Sequence, residues 1–85
     1  MDQKELHDII INLPEGYSEA IVNEKKYGIS KQSFNDGKSF KVYAEELGGN
    51  DFISFNYYLT STPVLKPCEM PEAKVNDFLA SLQSD

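Results

Sequence analysis

The stretch KVYAEELGGNDFISFNYY, residues 41–58, decides the fold class of this chain of 85 residues. On both sides of its Gly-Gly turn, apolar and polar side chains alternate with a period of two, which is typical of a half-buried β-strand. The stretch therefore predicts two antiparallel strands that share one strongly apolar face. The side chains expected on that face are Phe40, Val42, Ala44, Ile53, Phe55, Tyr57 and Leu59.

Two further strands are predicted before this stretch, over residues 18–22 and 26–34. The sequence NDGK, residues 35–38, connects the second strand to the third, because Asn, Asp and Gly tolerate the positive φ of tight hairpin turns. The four strands follow one another through short turns, so the pattern predicts an antiparallel meander. Residues 64–66 leave room for a further short extended piece.

Helical periodicity appears at both ends of the chain. Asp2 and Glu5 form a capping-box variant at the start of the first helix, and Pro14 ends it. Pro71 suits the first position of the second helix. Apolar residues follow the spacing i, i+3, i+4, i+7, and they are Leu6, Ile9, Ile10 and Leu13 in the first helix and Val75, Phe78, Leu79 and Leu82 in the second.

Each predicted helix has one apolar stripe, and the predicted sheet has one strongly apolar face. The economical assembly packs both helices on that face. The sequence thus predicts a single α+β domain over residues 1–85, in which a four-stranded antiparallel meander carries the N- and C-terminal helices on one face in the order α-β-β-β-β-α.

The charge of the chain limits the classes of partner that it is expected to bind. Fourteen acidic residues oppose eight basic ones for a net charge of −6, and all eight bases are lysine. The lack of arginine disfavours sequence-specific nucleic-acid recognition, because arginine makes the bidentate contacts to guanine and phosphate. Nucleic acid stays an alternative because five lysines cluster in residues 25–41.

Cysteine usage and the N-terminal sequence favour a cytoplasmic protein with no membrane association. A single cysteine permits no internal disulfide, and the N-terminus lacks the basic and apolar regions of a secretory signal. No phosphate-binding glycine motif or metal-ligand spacing is present, so we expect neither a cofactor nor a metal.

The blocks KVYAEELGGNDFISFNYY and LKPCEMPEAKVNDFL resemble a family of small bacterial proteins in which a Tyr-Gly strand, an A-E-E-L-G-G turn, a D-F-I-S strand and an L-K-P-C-E-M-P helix entry occur in this order. The resemblance covers roughly residues 14–80. Such sequences have been labelled peptide methionine sulfoxide reductases, but this chain has neither the G-C-F-W block nor the second cysteine of those enzymes. A more distant similarity, in layout alone, is to the single-stranded-DNA-binding fold of the transcriptional positive cofactor four family.

Cys68, in KPCEMPE at residues 66–72, is the one candidate for a catalytic residue. A helix N-terminus favours the thiolate, which would suit a thiol-dependent or redox enzyme. Glu69 and Glu72 oppose that charge, and the single histidine, His7, is some sixty residues away. The favoured alternative is a small packed cysteine where the chain enters the helix.

The acids Glu45, Glu46 and Asp51 around the Gly-Gly turn raise the alternative of a cation site. A calcium loop needs more oxygen ligands at alternating positions than three acids supply. The favoured interpretation is a solvated turn in which Gly48 or Gly49 adopts a positive φ.

The remaining candidates form a binding surface on the sheet face away from the helices. Three interpretations of this surface are open. It is a protein-partner or homodimer interface, a plain face of cross-strand aromatic pairs, or a platform for single-stranded nucleic acid. The sequence favours a non-enzymatic cytoplasmic binding module that uses this face. The candidate binding residues are Lys31, Lys41, Tyr43, Phe52 and Tyr58.

Overall fold

Two helices flank five strands in the computed structural model of the chain, which describes residues 2–83. The α+β class, both helices and the first four strands agree with the prediction, and α2 begins one residue after Pro71. The elements are α1 (Gln3–Asn12), β1 (Gly16–Val22), β2 (Lys25–Phe34), β3 (Ser39–Glu46), β4 (Phe52–Tyr58), β5 (Val64–Pro67) and α2 (Glu72–Gln83).

The prediction of four strands was wrong, because residues 64–67 pair with β4 and extend the sheet. Val64 lies opposite Tyr58, and Pro67 lies opposite Phe55. This fifth strand has only four residues, too few for a period of two to distinguish it from a loop. The sheet is a fully antiparallel meander in the order β1-β2-β3-β4-β5.

Three of the four connections between strands contain residues with positive φ. Asn23 and Glu24 join β1 to β2 with φ of 53° and 65°, as a two-residue hairpin turn requires. In the predicted NDGK turn, Asn35, Asp36 and Gly37 all have positive φ. These turns fix the register in which each strand sorts its side chains between the two faces.

Both helices lie on one face of the sheet, called the inner face. Asp2 caps α1 as predicted, since its Oδ1 accepts a hydrogen bond of 2.8 Å from the Glu5 amide. Helix α2 packs against α1 and against β1, β4 and β5. The buried apolar side chains of this core are Leu6, Ile10, Val22, Tyr27, Ile29, Phe40, Val42, Ala44, Ile53, Phe55, Tyr57, Val75, Phe78 and Leu79.

Candidate functional site

The opposite face of the sheet, called the outer face, has neither helix packed on it. Strand register places four of the five predicted binding residues there. Lys41 lies opposite Asn56, and Tyr43 lies opposite Ser54. Phe52 and Tyr58 share this face with them, because both alternate with the buried residues of β4.

Aromatic side chains on the outer face contact their neighbours across strands. The Tyr43 and Phe52 rings stack with their centroids 6.2 Å apart and their planes 28° from parallel. At the other end of the sheet, the Tyr17 ring covers Gly28, where a Cβ atom would lie 2.5 Å from the Tyr17 hydroxyl oxygen. Glycine at position 28 therefore leaves room for the Tyr17 ring to approach the backbone of β2.

A polar row crosses the outer face between two rows that carry aromatic residues. Lys41, Asn56 and Lys66 are neighbours in register across β3, β4 and β5. Tyr43 lies in the next row on one side, and Tyr58 lies in the next row on the other. Lysine and aromatic groups thus alternate along the strand direction.

The fifth predicted binding residue, Lys31, lies on the inner face, so it is not part of the outer surface that the other four residues share. It is only 5% exposed, and its Nζ donates hydrogen bonds to the carbonyl oxygens of Ile10, Ile11 and Leu13 at 2.8, 3.0 and 2.9 Å. Its ammonium also lies 5.0 Å from the centre of the Phe40 ring. Lys31 therefore neutralises the C-terminus of α1, which has no basic residue in its own last turn.

Burial of the Lys31 ammonium destabilises its charged form, and its hydrogen bonds to carbonyl groups offset that cost. Burial lowers the pKa of its ammonium below the usual value, and the Glu15 carboxylate acts in the opposite direction. The hydrogen bonds to three carbonyl groups at the end of a helix are what hold a cation in this position.

Cys68 and His7 lie on opposite sides of the sheet. The Cys68 amide donates a hydrogen bond to the Ser54 carbonyl oxygen at 2.9 Å, and the half-buried thiol lies 3.6 Å from Nδ2 of Asn56 on the outer face. His7 Nδ1 is 3.0 Å from the hydroxyl oxygen of Tyr57, which is buried on the inner face. The histidine therefore has no access to the sulfur as a general base.

The acids of the Gly-Gly turn point in different directions. Glu45 lies on the outer face opposite Phe52, whereas Asp51 turns toward α2. Gly48 supplies the predicted positive φ, at 85°. Within residues 2–83, no group of three or more His, Cys, Asp or Glu side chains is arranged to hold a metal ion.

Asp51 joins the turn to α2 through two hydrogen-bonded partners. Lys74 Nζ lies 2.8 Å from Oδ1, and the Tyr27 hydroxyl donates to Oδ2 at 2.8 Å. The hydrogen bonds from Lys74 and Tyr27 lower the pKa of the Asp51 carboxyl. Burial and the bond to Asp51 raise the pKa of Tyr27 to about 12.

Sequence reasoning missed both polar clusters on the helix side. A signal existed for Lys31, because its position alternates with Tyr27 and Ile29 and so belongs to the apolar face. No pattern indicated the contact between Asp51 and Lys74, since it joins a turn to a helix 23 residues later in a different element.

Comparisons with protein-family models, with curated proteins and with solved structures found no match to this chain. The resemblance to the small bacterial family therefore stays a prediction from the sequence blocks. Neither of the helices within residues 2–83 has the length and apolar character needed to cross a membrane.

Proposed function

We propose that this chain is a non-enzymatic interaction module that binds a protein through the outer face, and that a second copy of the chain is one such protein. The distribution of exposed apolar side chains carries the proposal. Of nine exposed large hydrophobic residues in the described chain, seven lie on this face. They are Tyr17, Ile21, Phe34, Tyr43, Phe52, Tyr58 and Val64.

The charge distribution supports pairing of two outer faces. Three lysines and two glutamates point outward from the strands, so the face has a net charge of +1, whereas the whole chain has −6. Two copies that met through their helix sides would bring acidic surfaces together. Two copies that met through their outer faces would avoid most of that repulsion. The outward charged residues are Glu19, Lys26, Lys41, Glu45 and Lys66.

The size of the outer face indicates how tightly two copies should bind each other. Five strands about 4.8 Å apart, each about seven residues long at about 3.3 Å per residue, give a face of about 24 by 23 Å. Two such faces would bury about 1,100 Å² in total, close to the roughly 1,000 Å² expected for the smallest specific interfaces. The proposed dimer is therefore weak and forms at high protein concentration.

Sedimentation equilibrium over about 20 μM to about 1 mM protein tests this proposal, because it spans the affinity expected of a small interface. We expect the apparent mass to rise from monomer toward dimer. The double variant Tyr43→Ser/Tyr58→Ser should stay monomeric, since it removes two exposed aromatic groups from the outer face.

The matched control is Ile11→Ser/Leu47→Ser, which removes two apolar side chains of similar exposure from outside the face. The exposed fractions are 38% and 37% in the control pair and 40% and 36% in the test pair. The control should dimerise like the unmodified chain. A monomer at every concentration, or equal loss of dimer in both double variants, would refute the proposed self-association.

Single-stranded nucleic acid is a second candidate because of the polar row. Lys41 and Lys66 flank Asn56 between rows that carry Tyr43 and Tyr58, so phosphates and stacked bases would each find partners. Fluorescence anisotropy with labelled oligo-dT at low salt tests this candidate. Binding that weakens with salt and in Lys41→Gln would support it, and no binding at tens of micromolar protein would exclude it.

A cytoplasmic, bacterial setting is part of the same proposal. A single half-buried cysteine suits a reducing compartment, and the sequence blocks resemble small bacterial proteins. A catalytic role for Cys68 receives no support from its surroundings, because the sheet separates the thiol from His7.

A further inference from the structure

Strand β1 forms an edge of the sheet that has no strand beside it. Among the elements within residues 2–83, β1 contacts only β2 and α2, and α2 lies on the inner face. Its register with β2 pairs seven residues one to one, and it contains no proline. The opposite edge, β5, has four residues and ends at Pro67, and both features protect an edge against further pairing. β1 is therefore the longer and less protected edge.

Three residues of β1 direct their backbone N–H and C=O groups away from the sheet. The two-residue β1–β2 turn closes on Val22 and Lys25, where such a turn places a hydrogen bond between its two strands. Residues that bond to the neighbouring strand alternate from there along β1. The residues between them therefore point outward, and no group outside the sheet in the described chain bonds to their backbone. They are Tyr17, Glu19 and Ile21.

The side chains of the same three residues form an exposed row on the outer face. Tyr17 and Ile21 are each 61% exposed, the highest value among the exposed large hydrophobic residues of the described chain. Between them, Glu19 accepts from the Tyr17 hydroxyl at 3.1 Å and lies 3.1 Å from Lys26 Nζ. A carboxylate has about four acceptor positions, so Glu19 can accept from a further donor. A strand paired with β1 would meet two apolar side chains with a carboxylate between them.

The charge of this edge disfavours a second copy of the chain as the added strand. Residues 14–24 contain three acids and no base. The antiparallel pairing of two β1 strands that uses all of their outward groups would place two Glu19 side chains opposite each other, and like charges directly opposite are destabilising. A lysine or arginine at that position would form a cross-strand ion pair instead. The net charge of −6 also attracts a basic segment.

We propose that β1 binds an extended peptide segment of another protein, which adds an antiparallel strand to the sheet. A lysine or arginine of the segment lies opposite Glu19, and apolar residues lie opposite Tyr17 and Ile21. Main-chain hydrogen bonds supply the affinity of such strand addition, and the alternate side chains supply its specificity. This binding does not depend on self-association, because the added strand leaves the rows around Tyr43 and Tyr58 uncovered.

A capped peptide with the order Thr-Val-Thr-Lys-Thr-Phe-Thr has a basic residue between two apolar ones and is a suitable probe. Amide hydrogen exchange followed by ¹H–¹⁵N NMR, at a fixed concentration of the full chain, measures the pairing. We expect saturable protection at the amides of Tyr17, Glu19 and Ile21, whereas those of Ser18 and Ala20 already bond to β2. Failure of self-association would leave this result unchanged. Protection of the same amides without peptide, rising with chain concentration, would identify a second copy as the added strand and overturn the proposal.

Backbone methylation of the probe tests the main-chain pairing. A methyl group on the lysine amide nitrogen should weaken binding by about tenfold or more, because the Glu19 carbonyl group then loses its donor. The matched control carries the methyl group on the next threonine amide, which points away from β1 in the proposed pairing. It should bind like the unmethylated probe, and equal binding of the two methylated probes would contradict strand addition.

Charge reversal tests the preference for a basic residue. Glu19→Lys should weaken binding of the probe by about two- to fivefold, the range typical of a solvent-exposed ion pair, and a probe with glutamate in place of lysine should recover the loss. Glu45→Lys is the matched control, because it changes the net charge equally in the same row of the outer face, two strands from the edge. Equal effects of the two variants, or protection confined to other residues, would each overturn the proposal.

Discussion

Replacement of Lys31 by methionine tests the contact that joins α1 to the sheet. Methionine keeps an unbranched apolar chain beside Phe40 but removes the ammonium that donates to the carbonyl groups of Ile10, Ile11 and Leu13. The change isolates the polar part of the contact, because the apolar volume is nearly conserved.

The magnitude follows from those three bonds. A hydrogen bond to a charged group contributes about 1.5 to 3 kcal/mol in mutational series, and such contributions are not additive at one site. The cost of burying the ammonium opposes them and is recovered on substitution. We therefore expect the free energy of unfolding to fall by about 3 kcal/mol, which for a domain of this size lowers Tm by about 12 to 24 °C.

Urea denaturation followed by far-ultraviolet circular dichroism measures this change. Lys41→Met is the matched control, because Lys41 points outward from β3 and should change stability by less than about 0.5 kcal/mol. If Lys31→Met were as stable as Lys41→Met, the carbonyl groups would be satisfied by water in the variant. The contact would then have no role in holding α1.

Three other perturbations follow from the same polar and packing contacts. The folded state keeps the Tyr27 proton to about pH 12. The stability that this raised pKa contributes is complete below the usual tyrosine pKa of about 10 and is lost as the pH rises to about 12. In urea titrations at pH 10 to 12, the free energy of unfolding of Tyr27→Phe should therefore fall less than that of the unmodified chain. Hydrogen bonds from Lys74 and Tyr27 lower the pKa of Asp51. Its contribution is complete above the usual value of 3.8 and is lost as pH falls through the folded value, so Asp51→Asn should flatten the acid limb of a Tm-against-pH curve. Gly28→Ala should displace the Tyr17 ring, seen as a loss of nuclear Overhauser contacts between that ring and β2, while an unchanged ring position would contradict the close approach.

The sorting of side chains in β3 and β4 was predictable because the large side chains of both strands follow a period of two, although the small Ser39 and Ser54 are buried on the outer face as well. Val42 and Phe55 are buried and Tyr43 and Phe52 are exposed, as the alternation requires. Lys31 was misassigned because its charge was given more weight than its position in the same alternation.

Other features depend on contacts between distant parts of the chain. The carbonyl groups that accept from Lys31 belong to α1, and nothing in the local sequence of β2 indicates that the helix ends above it. The separation of Cys68 from His7 follows from the faces of β4, so it required the register of β5 as well as the position of α1. The sequence alone therefore left the thiol hypothesis open.

The central claim, that the outer face is the contact surface, is tested most directly by a dilution series of ¹H–¹⁵N NMR spectra of the unmodified chain. Concentration-dependent shifts should be confined to the outer face, with the largest at Tyr43, Asn56, Tyr58 and Lys66. Shifts located on α1 and α2, or spectra that do not change with concentration, would contradict self-association through the outer face.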